Sequence, residues 1–281
     1  MRGNSTVRRR RLGRELASLR KQRGLTLRDV HQQTGIAMYT VSAYENGHTT
    51  VRELYVRALL DVYGVEPDVR MALVALGRGS SGRDWRHVYG DVIPEWFEVY
   101  VGLEQDATSA RNFEIDLIPG LLQIPDYHRA INAAAIPRPP DDEVERRVAV
   151  RTERQKRVTE AGFTVWAVID EAALRRWPAD AAVARAQLHH LAELTGLPNV
   201  TVQVLPFGTG LHPAGLNSFM ILGFADPADP DVVYVDSLTS GQYLESAAEV
   251  GSYTLVFDHL RAMALDPAAS RTLLARLGTE I

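Results

Sequence analysis

Residues 25–47 read LTLRDVHQQTGIAMYTVSAYENG, and this stretch limits the fold more than any other part of the chain. Thr26 stands where its hydroxyl can cap a helix running from about Leu27 to Gln33. Thr34-Gly35 then makes a turn, in which Gly35 supplies a positive φ at little steric cost. A second helix runs from about Ala37 to Asn46 and is closed by Glu45-Asn46-Gly47. Two short helices joined in this way form a helix-turn-helix. In such a unit the second helix enters the DNA major groove and the first lies across the backbone.

The charges divide along the same line. Residues 1–83 hold 15 basic and 7 acidic residues, a net +8; the remainder holds 16 and 28, a net −12. The whole-chain charge of −4 therefore conceals a basic head on an acidic body. A basic head gains affinity for phosphates by releasing condensed counterions. Arg8, Arg9, Arg10 and Arg11 form its densest run and read either as a frayed, solvated terminus or as a phosphate or minor-groove contact.

The length of 281 residues suggests two domains, and 46% hydrophobic residues suffice for a sizeable core. The chain has no cysteine, which excludes disulfides, thiol catalysis and thiolate metal sites. No apolar stretch approaches the ~20 residues of a membrane span, and no secretory signal follows the arginine-rich start. The expectation is a soluble, cytoplasmic protein with no cofactor, no metal and no membrane partner.

Helix patterns are expected over 7–23 (stripe Leu12, Leu16, Leu19), over 51–63 and over 68–76. With the two helices of the opening motif they make an all-α, five-helix DNA-binding domain over 1–76. GRGSSGR at 77–83 reads as a linker. The body, 84–281, is expected to be α+β with a small, mainly antiparallel sheet. Its helices are expected over 95–110, 126–135, 141–161, from 170, and over 181–195, 242–264 and 267–277. Its strands are expected over 113–117, 163–169, 200–205, 219–224 and 232–235, with VTVQVL at 200–205 alternating as a half-buried strand should.

Several groups in the body invite an enzymatic reading, and none makes a catalytic constellation. Asp170-Glu171 after a strand fits a helix cap. Adjacent His189 and His190 point to different sides of a helix and cannot chelate as i,i+4 ligands do. Asp258-His259 lacks a placed nucleophile. GTGLHPAG at 208–215 lacks the endings of a phosphate or dinucleotide loop and reads as a loop that can line a pocket with His212. Leu121 and Leu122 after Pro119-Gly120 could dock a partner if exposed, or fill a buried turn. Arg151, Arg154 and Arg157, three apart, could meet an acidic partner or form a solvated face with Glu153 and Glu160. No enzymatic activity is expected.

Residues 12–76 resemble the xenobiotic-response-element (XRE) class, the lambda-repressor and Cro-like helix-turn-helix, most specifically in Tyr44-Glu45-Asn46-Gly47. His48-Thr49-Thr50-Val51 follows where that class often has a proline. The body resembles the C-terminal domain of actinobacterial XRE regulators described as antitoxin-like, of the Scr type. The matching stretches are IPGLLQIPDYHRA (118–130), RTERQ (151–155), VIDEAALRR (168–176), NVTVQVLPF (199–207), VVYVDS (232–237), YLE (243–245) and FDHLRAMALDPAAS (257–270). The resemblance implies a transcriptional regulator, with a small acidic protein encoded nearby as its partner at the C-terminal domain.

By position in the XRE motif, Met38, Tyr39, Thr40, Ser42 and Ala43 are the base-edge candidates, whereas Val41 and Tyr44 face the core. The helix carries no Arg, Lys, Asn or Gln before Asn46, so the common bidentate pairings with guanine and adenine are missing. Arg8 to Arg11, Arg28 and Arg52 are the phosphate candidates, and shape is expected to carry part of the specificity. A homodimer on a pseudo-palindromic double-stranded DNA operator is expected. Control by a small-molecule ligand of the body is the alternative to control by a protein partner.

Overall fold

The computed structural model describes residues 7–66, 69–70, 73–74, 94–178, 180–215, 217–227 and 229–281. The chain divides into two compact units, Met1–Asp106 and Ala107–Ile281. The expected linker at 77–83 lies outside the described residues. So does most of the fifth helix expected over 68–76, of which residues 69–70 and 73–74 are helical.

The first unit holds helices α1 (Val7–Gln22), α2 (Leu27–Thr34), α3 (Met38–Glu45), α4 (Glu53–Val62) and α5 (Glu95–Asp106). Helix α2 begins as its residues demand. Thr26 accepts from the Asp29 amide, and the Asp29 carboxylate accepts from the Thr26 amide, a reciprocal capping box. It stops at Gly35, φ 73°. Helix α3 ends in a Schellman arrangement: Gly47 N–H donates to the Tyr44 carbonyl and His48 N–H to that of Ala43, with Gly47 at φ 64°. The helices enclose one core that includes Leu12, Leu16, Val30, Val41, Tyr44, Val56, Leu59 and Tyr63.

The second unit is an α+β domain around a six-stranded mixed sheet. Its strands are β1 (Ser109–Glu114), β2 (Thr164–Asp170), β3 (Val200–Leu205), β4 (Phe219–Gly223), β5 (Val232–Asp236) and β6 (Gly241–Leu244), in the order β3-β2-β1-β4-β5-β6. Three of the five neighbour pairings are antiparallel, so the sheet is mainly antiparallel, as expected; β1, β2 and β3 run parallel. Parallel neighbours need long crossovers. These are supplied by α6 (Pro125–Ala133) and α7 (Asp141–Gln155) before β2, and by α8 (Glu171–Arg175) and α9 (Ala181–Leu194) before β3. Helices α10 (Ala247–Met263) and α11 (Pro267–Glu280) close the domain. Phe257 and Leu260 of α10 pack on Phe113, Val168, Leu205, Phe219, Ile221 and Val233 of one sheet face.

Four expectations are corrected. The first strand starts four residues earlier than expected, at Ser109: Ala110, Asn112 and Phe113 are buried, and Arg111 pairs with Asp231 at 2.6 Å. The third strand is not half-solvated: all but Thr201 are buried. Gln203 faces inwards, accepts from Trp166 Nε1 at 2.8 Å and donates to the carbonyls of Arg261 and Leu265. Residues 242–244 form a strand rather than a helix start, and α10 begins after Ser246, which caps Glu249. The charged helix from Asp141 ends at Gln155 and tightens into a 3₁₀ turn over Lys156–Thr159.

Candidate nucleic-acid interface

The recognition helix α3 is fixed from behind. Val41 is fully buried and Tyr44 is 5% exposed, and both join the core of the head. Their burial turns the opposite face outwards, where Tyr39 is 83% exposed and Met38 45%. Ser42 and Ala43 lie one turn further on, half-buried on that face, and Thr40 is half-buried at its border. The five base-edge candidates therefore share one short helix but not one exposure. Ser42 is also engaged, because Asn46 Nδ2 donates to its carbonyl at 2.7 Å and reaches its hydroxyl at 3.3 Å.

A contact that sequence reasoning missed holds the helix in place. Arg20 of α1 donates from Nε and Nη2 to the two carboxylate oxygens of Glu45, at 2.6 and 2.8 Å, and from Nη1 to the Leu25 carbonyl. The side chains are 13% and 8% exposed. One guanidinium thus ties α1 to the C-terminal turn of α3 and to the corner before α2. The Glu45 hydrogen bond holds the Arg20 guanidinium further into its charged form. The signal lay in the Tyr-Glu-Asn-Gly closure, where Glu45 was recorded as part of the motif without a partner. Gly13 adds the close approach, for a Cβ there would lie 2.6 Å from the carbonyl oxygens of Tyr44 and Glu45.

The phosphate candidates divide. Arg28 is exposed in the first turn of α2, and Arg52 is exposed directly before α4. The N-terminal amides of both helices add partial positive charge to these positions. Residues 8–11 belong to α1, and four consecutive helical residues project in four directions, about 100° apart. Arg11 is exposed, Arg10 half-buried, and Arg9 reaches Thr50, in the loop after α3, at 3.4 Å. The Arg8 side chain lies outside the described ones. The run is therefore a turn of helix and not a single basic stripe.

In the body, Leu121 (4% exposed) and Leu122 (0%) are buried, which removes them from an exposed docking surface. Their turn is a structural joint. Gln155 donates to the carbonyls of Gly120 and Gln123, Gln187 to that of Leu122, and Gln123 to that of Ile118. Arg151 and Arg154 do not form a solvated face either: Arg154 is 6% exposed, and Arg151 Nη1 donates to Gln123 Oε1 at 2.9 Å. His212 lies in the loop after β3, its Nε2 3.8 Å from Asp170 Oδ2 and its ring edge-on to Phe113. Asp170 caps α8 through the Ala172 amide, as its position suggested. No helix among the described residues is long and apolar enough to cross a membrane.

Residues 11–73 match the family model described as a helix-turn-helix domain. Residues 97–276 match that described as a domain of unknown function, DUF5753. This second match begins inside α5, which packs with the first unit, so the family boundary and the packing boundary differ by about one helix. No curated protein and no solved structure matches the chain.

Proposed function

The chain belongs to the DUF5753 family and carries a helix-turn-helix domain, and from this premise we propose that it is a sequence-specific transcriptional regulator of the XRE type. The observation that carries the reading is the exposure of Met38 and Tyr39 at the start of a helix that Val41 and Tyr44 lock from behind. Tyr39 offers a hydroxyl to base edges, and Met38 and Ala43 offer apolar contact to thymine methyls. Arg28, Arg52 and the outward members of Arg8–Arg11 hold phosphates and set the register. A dimer reads a pseudo-palindromic operator, with half-sites one helical turn apart or a multiple of it.

The body acts as the regulatory part, antitoxin-like and without enzymatic activity, and receives a small acidic protein encoded nearby. Such a partner shifts DNA binding only through unequal affinity for the free and DNA-bound forms. Fluorescence anisotropy on the DNA upstream of its own gene, against a random duplex, at two salt concentrations and with and without the neighbouring small protein, tests this reading. Preferential binding that the small protein changes supports it. Preferential binding indifferent to that protein removes the partner role, and equal binding to both duplexes removes sequence specificity.

A further inference from the structure

The outward face of α3 lacks the side chains that most often read bases. Its first two residues, which in a helix-turn-helix reach the base edges, are Met38, 45% exposed, and Tyr39, 83% exposed. Ala43 follows one turn on, half-buried. Bidentate reading of guanine takes Arg or Lys, and that of adenine takes Asn or Gln. Asn46, at the end of the helix, is the one such side chain in α3 and its caps. Its Nδ2 donates to the Ser42 carbonyl at 2.7 Å and reaches the Ser42 hydroxyl at 3.3 Å, so both of its N–H groups are directed back along α3. A pair with adenine needs one of those hydrogens. The same contact engages the Ser42 hydroxyl.

The exposed polar side chains on either side of α3 in the sequence stand off the helix. Gln32 and Gln33 belong to α2, which lies across the backbone in such a unit, and His48 and Thr49 follow the C-terminal end of α3. Arg28 and Arg52 stand at the starts of α2 and α4, beside amides that attract phosphate. The tip of α3 is left with a thioether and a phenol. The Met38 side chain is apolar, flexible and polarisable, and it moulds itself to a small apolar projection. The Tyr39 ring offers an apolar face and one hydroxyl, which can donate or accept and so does not separate the bases by itself. The apolar projection in the major groove is the thymine C5 methyl. Cytosine lacks it, and 5-methylcytosine carries it at the same ring position.

We propose that the head recognises the methyl group itself at the bases under Met38 and Tyr39, so that 5-methylcytosine can replace thymine there and uracil cannot. Methylation of cytosine at such a step then creates a contact, and DNA binding responds to it. This rests on the reading of the chain as a sequence-specific DNA binder and names the feature of the duplex that is read.

The full chain first selects its duplex from a random pool, and that duplex is the probe. Fluorescence anisotropy then compares it with versions in which deoxyuridine replaces each thymine in turn. We expect loss of a methyl under Met38 or Tyr39 to weaken binding about two- to fourfold, the worth of one buried methyl, without changing the salt slope. Where C·G replaces T·A at the same step, methylation of the cytosine is expected to restore about that factor. In Met38→Ala or Tyr39→Ala the uracil penalty at the matching thymine should vanish, and both residues are exposed enough for the fold to tolerate the change. An enriched duplex that binds equally with thymine or uracil at every position overturns the inference alone. So does a uracil penalty that persists in both variants, because the methyl then acts through the shape of the duplex. If no duplex is enriched, sequence-specific reading itself fails, and the inference falls with it.

Discussion

Tyr39 and Arg20 show how unlike the duties of two residues in one small domain can be. Tyr39 is almost fully exposed and supports nothing in the fold. Tyr39→Ala is therefore expected to cost about 1–3 kcal/mol on the operator and little on random DNA, with an unchanged salt slope in anisotropy titrations. Equal loss on both duplexes would refute its base-reading role. Arg20 contributes to the head by holding Glu45 in a nearly dry, two-pronged pair. Arg20→Met leaves that carboxylate without its cation and is expected to destabilise the head by about 3 kcal/mol, because breaking such a pair strands a buried charge. Hydrogen exchange at the α3 amides, which reports local opening, would show it, and exchange rates like those of the parent would contradict it. Exposure makes the first residue a candidate for contact with DNA, while only the paired geometry reveals the structural duty of the second.

At the scale of elements, the contact between α1 and α3 depends on a missing side chain. With Gly13 beneath the Tyr44 and Glu45 carbonyls, the two helices approach more closely than any Cβ would allow. Gly13→Ala must push α3 away, and overpacking of this kind costs about 1–3 kcal/mol. DNA affinity should fall with stability, because the exposed face of α3 moves with the helix. Gly102, in α5, is the control, since a Cβ there has open space. Gly102→Ala is expected to raise stability by about 0.5–1 kcal/mol, as alanine does inside a helix. Thermal melts of both variants check the pair, and equal effects of one sign would refute the argument. Strand β3 shows a related lesson for sheets. It lies at the edge, yet the Leu265 amide donates to the Val204 carbonyl, and the Val204 amide donates to Ser270 Oγ. The α10–α11 connection thus covers an edge that would otherwise invite pairing with another chain.

For the molecule as a whole, charge sets two expectations. The basic head, net +8 over residues 1–83, should bind any duplex weakly. Replacing Arg9, Arg10 and Arg11 by glutamine should weaken specific and random DNA alike and flatten the salt slope; a slope that does not change would show that these side chains meet no phosphate. In the body, His128 and Glu114 act against each other. The His128 pKa falls on folding from 6.5 to about 3, so its contribution to stability is present above 6.5 and is lost as pH falls towards 3. The Glu114 pKa rises from 4.5 to about 7, so its contribution is present below 4.5 and is lost as pH rises through 7. His128→Gln should therefore flatten the acid side of the stability profile and Glu114→Gln the neutral side, in urea titrations across that range. Identical profiles for either variant and the parent would refute the assignment. The sequence by itself determined the head, because capping residues, a glycine turn and a 3.6-residue stripe act within a few residues of one another: Thr26, Gly35, Leu12 and Leu16 were all legible. It also determined most strands of the body, whose apolar runs are local. The inward turn of Arg151 and Arg154, the burial of Leu121 and Leu122, the Arg20–Glu45 pair and the strand at 241–244 were decided only by the tertiary structure. Arg20 reaches Glu45 across 25 residues and Arg151 reaches Gln123 across 28, so a distant element supplies the hydrogen bonds that make their burial tolerable. The turn at Leu121 and Leu122 is held by Gln187, 65 residues on from Leu122, and residues 241–244 become a strand by pairing with β5.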